Sequence, residues 1–373
     1  MPIPSGLIPS PFQSRVNPAL TEDDFISVSG QAVPLWLVDP EKEYQAFRNT
    51  VGLIDFSMLF KWEINGVTAT EAVNKVFSRD VEKLAPGSIA YGVIVDETGH
   101  MMDDVTVLKY SENHYRITGG NFDDEAIIRK YLNNNKLEEI RSHVATLSVQ
   151  GPKSRNLLQS LTGSDLSNEA FPYYTFKTDV ALNGIPAHIN RMGFTAELGY
   201  EVMVDAGHAE QLWDLLSERG SEFGAVACGA IALMTVRVES GMIMGELEYD
   251  RSSTPFECRM GWSVDLEKSD FHGKQALVAL KDKAENSIVS AVIDADADGL
   301  NGAELISGEA TVGHITMAIP SPYLSGKTLA LMKVRKGYGK VGNALQVATA
   351  TGKANLEVVS TPVYDPERLK VRS

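Results

Sequence analysis

Cysteine is nearly absent: the 373-residue chain has two, Cys228 and Cys258. They form no Cys-x-x-Cys pair and are too few for a disulfide scaffold or a zinc ribbon. Both stand in apolar or mixed surroundings and are expected as buried thiols. No metal-ligating set is read. Long apolar runs are also missing. The longest, residues 223–236, falls short of the roughly 20 residues a membrane span needs. Its Gly and Ala content suits a closely packed buried helix. The segment from Met1 to Phe12 has no basic region followed by an apolar stretch, so no signal peptide is expected and a cytoplasmic location fits. Positive charge is in deficit, with 34 Lys and Arg against 49 Asp and Glu, a formal net charge of -15. Such a surface repels phosphate backbones and anionic lipid, so neither nucleic acid nor a membrane is expected as a partner.

What is present supports a large core. Hydrophobic residues make up 43% of the chain, and the length calls for two or three domains. Residues 32–37 read as a strand broken by Pro34, at an edge or in a loop. Asp39 and Pro40 start a helix that stops at Gly52. Strands are read at 61–66, 90–95, 105–110, 114–118, 145–149, 187–191 and 200–204. Helices are read at 68–77, 125–132, 154–161 and 209–219. Helices set beside antiparallel strands give an α+β class. Beyond about Phe271, short strands and glycine turns read as a small β-barrel or sandwich.

Several local patterns then fall in one order. They include Gly52-Leu53-Ile54-Asp55-Phe56-Ser57, Gly99-His100-Met101-Met102-Asp103-Asp104, Gln150-Gly151-Pro152 and Gly193-Phe194-Thr195-Ala196-Glu197-Leu198-Gly199-Tyr200-Glu201. Further on come Arg237-Val238-Glu239-Ser240-Gly241, Thr254-Pro255-Phe256-Glu257, Phe271-His272-Gly273-Lys274-Gln275-Ala276-Leu277 and Val312-Gly313-His314-Ile315-Thr316. Together they resemble the glycine cleavage T-protein (aminomethyltransferase) family, including its folate-dependent demethylase relatives. The resemblance implies three domains around a central channel that holds tetrahydrofolate, with a C-terminal β-barrel. The expected divisions are 1–52 with 143–245, 53–142 with 246–276, and 277–373.

The resemblance also implies site residues. The second carboxylate of the Asp103-Asp104 pair is the family's catalytic position, Asp104. It is expected just before a strand, and strand alternation puts Asp103 and Asp104 on opposite faces. Glu201 matches the carboxylate that accepts hydrogen bonds from the pterin, a pairing strengthened by its charge. Tyr91, Tyr173 and Trp262 match aromatic positions near the ligand. Asn121 and Tyr364 are weaker candidates for folate contact.

Three departures concern the donor side. Leu233 stands where the family has an arginine, Met58 where it has a histidine, and Phe194 where it has a tyrosine. Changed polar contacts point to a changed one-carbon donor. A standard T-protein takes an aminomethyl group from a lipoyl carrier protein. A free-standing relative takes a methyl group from a small sulfonium or amine. Leu7-Ile8-Pro9-Ser10 and Phe256-Glu257-Cys258 resemble the dimethylsulfoniopropionate demethylase branch. The leading expectation is a tetrahydrofolate-dependent transferase with altered donor specificity, with a small-molecule demethylase close behind. A non-catalytic folate-binding protein is disfavoured, because the Lys-Gly-Cys-Tyr motif of that branch is replaced by Met244-Gly245-Glu246-Leu247-Glu248. A flavin dehydrogenase is disfavoured by the lack of a Gly-x-Gly-x-x-Gly after an N-terminal strand.

Overall fold

The computed structural model describes residues 3–373. Met1 and Pro2, which begin the segment read for a leader, lie outside the described residues. A hairpin of Phe25–Val28 (β1) and Gln31–Pro34 (β2) precedes the helix Pro40–Asn49 (α1). Asp39 caps α1 by accepting from the Lys42 amide at 3.0 Å, and Pro40 sits in the first turn, where no donor is lost. Val51–Asp55 (β3) follows.

The chain then builds a second sheet from Phe60–Asn65 (β4), Ser88–Val95 (β5), Met101–Ser111 (β6), His114–Gly119 (β7) and Lys136–Glu139 (β8). Their order is β5-β6-β7-β4-β8, all antiparallel. The helices Ala69–Val76 (α2) and Asp124–Tyr131 (α3) cover it. The core of this layer joins Trp62, Ile64, Val107 and Ile117 to Val73 and Val76 of α2. Trp62 is fully buried, and truncating such a side chain costs about 3–5 kcal/mol.

The chain returns to the first sheet with Val144–Gln150 (β9), Phe176–Leu182 (β10), Ile185–Asn190 (β11), Gly199–Asp205 (β12) and Ala225–Ala227 (β13). The order is β10-β11-β12-β9-β3-β13, and only the β3–β13 pairing is parallel among those described. Ser154–Gln159 (α4), Ala209–Gly220 (α5) and Ala230–Glu239 (α6) complete this unit. The apolar run 223–236, expected as one helix, is instead split between β13 and α6. Gly229 marks the break. A Cβ there would meet the backbone of Leu35 and Trp36, so only glycine permits the close approach.

After α6 the chain runs through an irregular segment, residues 240–273, to the short helix Lys274–Leu280 (α7). Asn286–Ile293 (β14), Glu304–Ser307 (β15), Ala310–Ser321 (β16), Lys327–Arg335 (β17), Ala344–Thr349 (β18) and Gly352–Val359 (β19) close into a barrel in the order β14-β17-β16-β15-β18-β19. Closure removes exposed sheet edges. One apolar cluster joins Val93, Val95 and Met101 of the second sheet to Ile288, Leu329 and Leu331 of the barrel, through Tyr249, Met260 and Phe271. The irregular segment is therefore packed between sheet and barrel. Both cysteines are buried free thiols. No helix among the described residues is long and apolar enough to cross a membrane.

Candidate active site

Asp104 lies inside β6, opposite Val93 of β5, rather than before a strand. Pairing with β5 carries the strand through both aspartates, overriding their low strand propensity. Asp103 is buried, and Asp104 is half-buried. Asp103 accepts from the Gly120 and Asn121 amides at 2.7 and 3.1 Å. Asp104 accepts from the Tyr91 hydroxyl at 2.6 Å and from the Tyr249 hydroxyl. The Tyr249 hydroxyl also lies 3.2 Å from Asp103, so the two carboxylates share one neighbour despite strand alternation.

Burial, then the neighbouring Asp103 charge, pushes the Asp104 carboxyl up to about 7. The two tyrosine hydroxyls pull the other way. Burial keeps both tyrosines well above their usual range, so each remains a donor. A third carboxyl, Asp124 on α3, is fully buried near Asp103 and is also pushed well up by burial and by Asp103. Burial pushes the Asp103 carboxyl up as well, against the Gly120 and Asn121 amides that favour its charged form. A carboxylate poised near neutrality between hydroxyl donors can orient a nitrogen centre, stabilise developing positive charge or exchange a proton.

Sequence reasoning missed Tyr249 because it lies in the irregular segment, without periodicity. Its placement has a clear cause. Glu248, fully buried, accepts from Arg237 of α6 at 2.7 Å, from the Met244 amide at 2.9 Å and from Thr316 of β16 at 2.7 Å. The Glu246 amide donates to the Tyr249 carbonyl at 2.8 Å and closes the turn. Helix and barrel thus fix the loop that presents Tyr249 to Asp104.

Tyr91 and Trp262 stand 6.1 Å apart, and the Arg79 guanidinium lies 5.8 Å from the Trp262 ring. Trp262 remains 60% exposed, so its face is open to a ligand or to solvent. Tyr173 packs on Tyr174 at 4.4 Å. The loop bearing both is tied to β5 through the Ile89 amide, which donates to the Tyr174 carbonyl at 2.8 Å. Tyr174 lies close enough to Tyr91 to raise its pKa. Tyr91 therefore links Asp104 to Trp262 on one side and to Tyr174 on the other, and Tyr174 is one the sequence did not single out.

The remaining candidates are spread out. Asn121 donates its side-chain amide to the Met102 carbonyl at 2.9 Å and its backbone amide to Asp103. Tyr364 is buried, hydrogen bonded to Glu197 and stacked under Arg48 at 3.7 Å. It shares an apolar cluster with Tyr173. Glu201 stands on β12, in the other sheet, 8% exposed. It accepts from Asn190 at 3.3 Å, and among the described residues its second oxygen accepts no hydrogen bond. Burial pushes its carboxyl up to about 7, and Asn190 and Lys61 pull it down. Lys61 is itself buried and pushed down to about 8. A buried carboxylate with a free, still reachable oxygen fits a ligand edge that carries adjacent N–H donors.

Leu233 and Met58 are both buried in a single apolar cluster, against which Phe194 packs. The three departures from the family pattern therefore fall in one apolar cluster.

Comparison with known proteins agrees with this architecture. The GCVT N-terminal domain family matches residues 22–268, and the glycine cleavage T-protein C-terminal barrel domain matches 287–365. The aminomethyltransferase of Caldanaerobacter subterraneus subsp. tengcongensis is 30% identical over 345 residues, covering 91% of each chain. That of Bacillus cereus is also 30% identical, over 91% of this chain and 93% of its own. The crystal structure of glycine cleavage system aminomethyltransferase T from Bartonella henselae superposes with a TM-score of 0.85 at 21% identity, over 96% of this chain and 99% of that one. Two sheets, a closing barrel and two matched domains over most of the chain have one source: the protein belongs to the glycine cleavage T-protein (aminomethyltransferase) family.

Proposed function

We propose that the protein transfers a one-carbon unit to tetrahydrofolate, with Asp104 as the working carboxylate and a donor other than a standard T-protein's. The observation that carries this reading is the Asp104 carboxylate, half-buried between two tyrosine hydroxyls beside an aromatic wall. Tetrahydrofolate supplies the acceptor nitrogens. Asp104 orients that region and balances positive charge during transfer. Glu201 accepts from the pterin edge with its free oxygen. Tyr91, Tyr173 and Trp262 offer faces for the flat rings. Asn121 holds Asp103, and Tyr364 packs in one cluster with Tyr173.

A second reading narrows the donor to a small methylated cation, a sulfonium, betaine or amine. The shared apolar cluster of Leu233, Met58 and Phe194 favours it. Polar groups suited to a carrier-bound aminomethyl unit are replaced there together. Aromatic faces hold methylated cations.

A donor screen with tetrahydrofolate tests both readings. Methyl-tetrahydrofolate from a sulfonium or betaine supports the demethylase. Methylene-tetrahydrofolate from an aminomethyl-lipoyl protein supports standard T-protein chemistry and rejects the altered donor. Tight folate binding without either product rejects catalysis.

A further inference from the structure

A chain of side chains, half-buried at Tyr110 and His188 and buried at Asn190, leads from the end of β6 to Glu201. The Tyr110 hydroxyl lies 3.1 Å from His188 Nδ1. His188 Nε2 lies 2.9 Å from Asn190 Oδ1, and Asn190 Nδ2 lies 3.3 Å from Glu201 Oε2. Directions are forced from the Glu201 end. A carboxylate only accepts, so the Asn190 amide must donate to it. The Asn190 carbonyl then accepts from His188 Nε2–H, and Nδ1 of a neutral imidazole accepts from Tyr110.

The strand register builds this line. Asn190 is paired directly with Glu201, and His188 with Met203. His188 and Asn190 thus share one face of β11. His188 is stacked on Phe176 at 5.1 Å and meets Tyr110 edge-on at 5.6 Å. Tyr110 is on the strand that carries Asp104, so the line crosses from one sheet to the other.

We propose that Tyr110, His188 and Asn190 form a positioning relay that orients Glu201 toward folate and favours its anionic form. The inference rests on Glu201 being the folate anchor. Neutral His188 is required, since a protonated Nδ1 could not accept from Tyr110. Burial, with the Arg116 charge, pushes His188 down to about 3, so the relay keeps its polarity at neutral pH. Other charged groups surround the site. Lys61 on β4 acts on Glu201 directly. Arg116 on β7 contacts Met203 at 3.3 Å and is paired with Glu63 of β4, which also meets His114. Asp55 on β3 and Glu139 on β8 act on Lys61. Those groups set the background, and Asn190 supplies the one side-chain donor to Glu201 among the described residues.

Calorimetric titration of the full chain with tetrahydrofolate, across about pH 5 to 9, tests the relay. Wild-type affinity should fall as pH drops through about 7, because the anion is the acceptor. Asn190→Leu should move that midpoint upward and weaken binding at neutral pH by about tenfold. His188→Phe keeps the stacked ring and should shift the midpoint the same way by less. Asn190→Ser, too short to reach Glu201, replaces the leucine variant if that does not fold. Glu201→Gln should weaken binding and abolish the pH step. Weakened Glu201→Gln with an unmoved midpoint in the Asn190 and His188 variants overturns the relay but keeps the anchor. Wild-type affinity in Glu201→Gln overturns both.

Discussion

Asp104 is held at a point where opposing effects nearly cancel. Burial and Asp103 raise its pKa, and the hydroxyls of Tyr249 and Tyr91 lower it, leaving it at about 7. The folded state holds a proton that the unfolded carboxyl, at its ordinary 3.8, gives up. Stability of the ligand-free protein therefore falls as pH rises from 3.8 toward about 7. Asp104→Asn removes that cost, so its melting temperature should exceed the wild type's at pH 8 and converge with it at about pH 4. Turnover should fall at least about 100-fold in the same variant while folate affinity holds. Retained turnover would remove Asp104 from the chemistry. The rate profile adds a check. The anion is the form that accepts both hydroxyls, so wild-type rate should decline as pH drops through about 7. Asp104 was legible in the sequence because it ends a motif. Its partner Tyr249 was not, because loop residues are placed by contacts of their neighbours rather than by any local pattern.

β6 shows how an element turns adjacent residues into different instruments. It carries Asp103 and Asp104 near its start and Tyr110 near its end, three residues with three surroundings. The sequence reads strands at 90–95 and 105–110, but β6 starts at Met101, earlier than propensity suggests. Pairing extends a strand into residues that would not begin one alone. The face holding Asp103 depends on the neighbouring strand as well. A Cβ at Gly119 of β7 would collide with the Asp103 carboxylate and crowd Val105. Gly119→Ala should therefore displace Asp103, loosen its bond to the Gly120 amide and alter Asp104 through their shared Tyr249. The expected result is a shift in the pH midpoint of turnover together with a stability loss of about 1–3 kcal/mol. A variant that loses stability without moving the midpoint would show that Asp103 does not tune Asp104.

At the scale of the whole molecule, three units meet at one buried ion network. Arg48 of α1 donates to Glu239 of α6 at 2.8 Å and to Glu197, before β12, at 3.1 Å. Glu239 also accepts from Ser321 at the end of β16 at 2.7 Å and from the Tyr323 amide at 3.2 Å. Tyr44 and Tyr364 add their hydroxyls. The first sheet, its covering helices, the barrel and the C-terminal segment are thereby tied at one point. The motif residues Glu197 and Glu239 were visible in sequence, whereas Arg48 and Ser321 were not, since their partners lie far away along the chain. Buried ion pairs add little over apolar packing, yet removing one partner strands the other's charge. Arg48→Met leaves two carboxylates without their cation, so stability should fall by about 3–5 kcal/mol in a urea titration. Adding Glu239→Gln to Arg48→Met removes one orphaned charge and should recover part of that loss. If the network were only a surface-like contact, the single variant would cost less than about 1 kcal/mol and the second change would restore nothing. The barrel end is held through Glu239, so the single variant should also expose residues 240–273 to limited proteolysis ahead of global unfolding. Cleavage in that segment would disturb Tyr249, so turnover should fall in step with it.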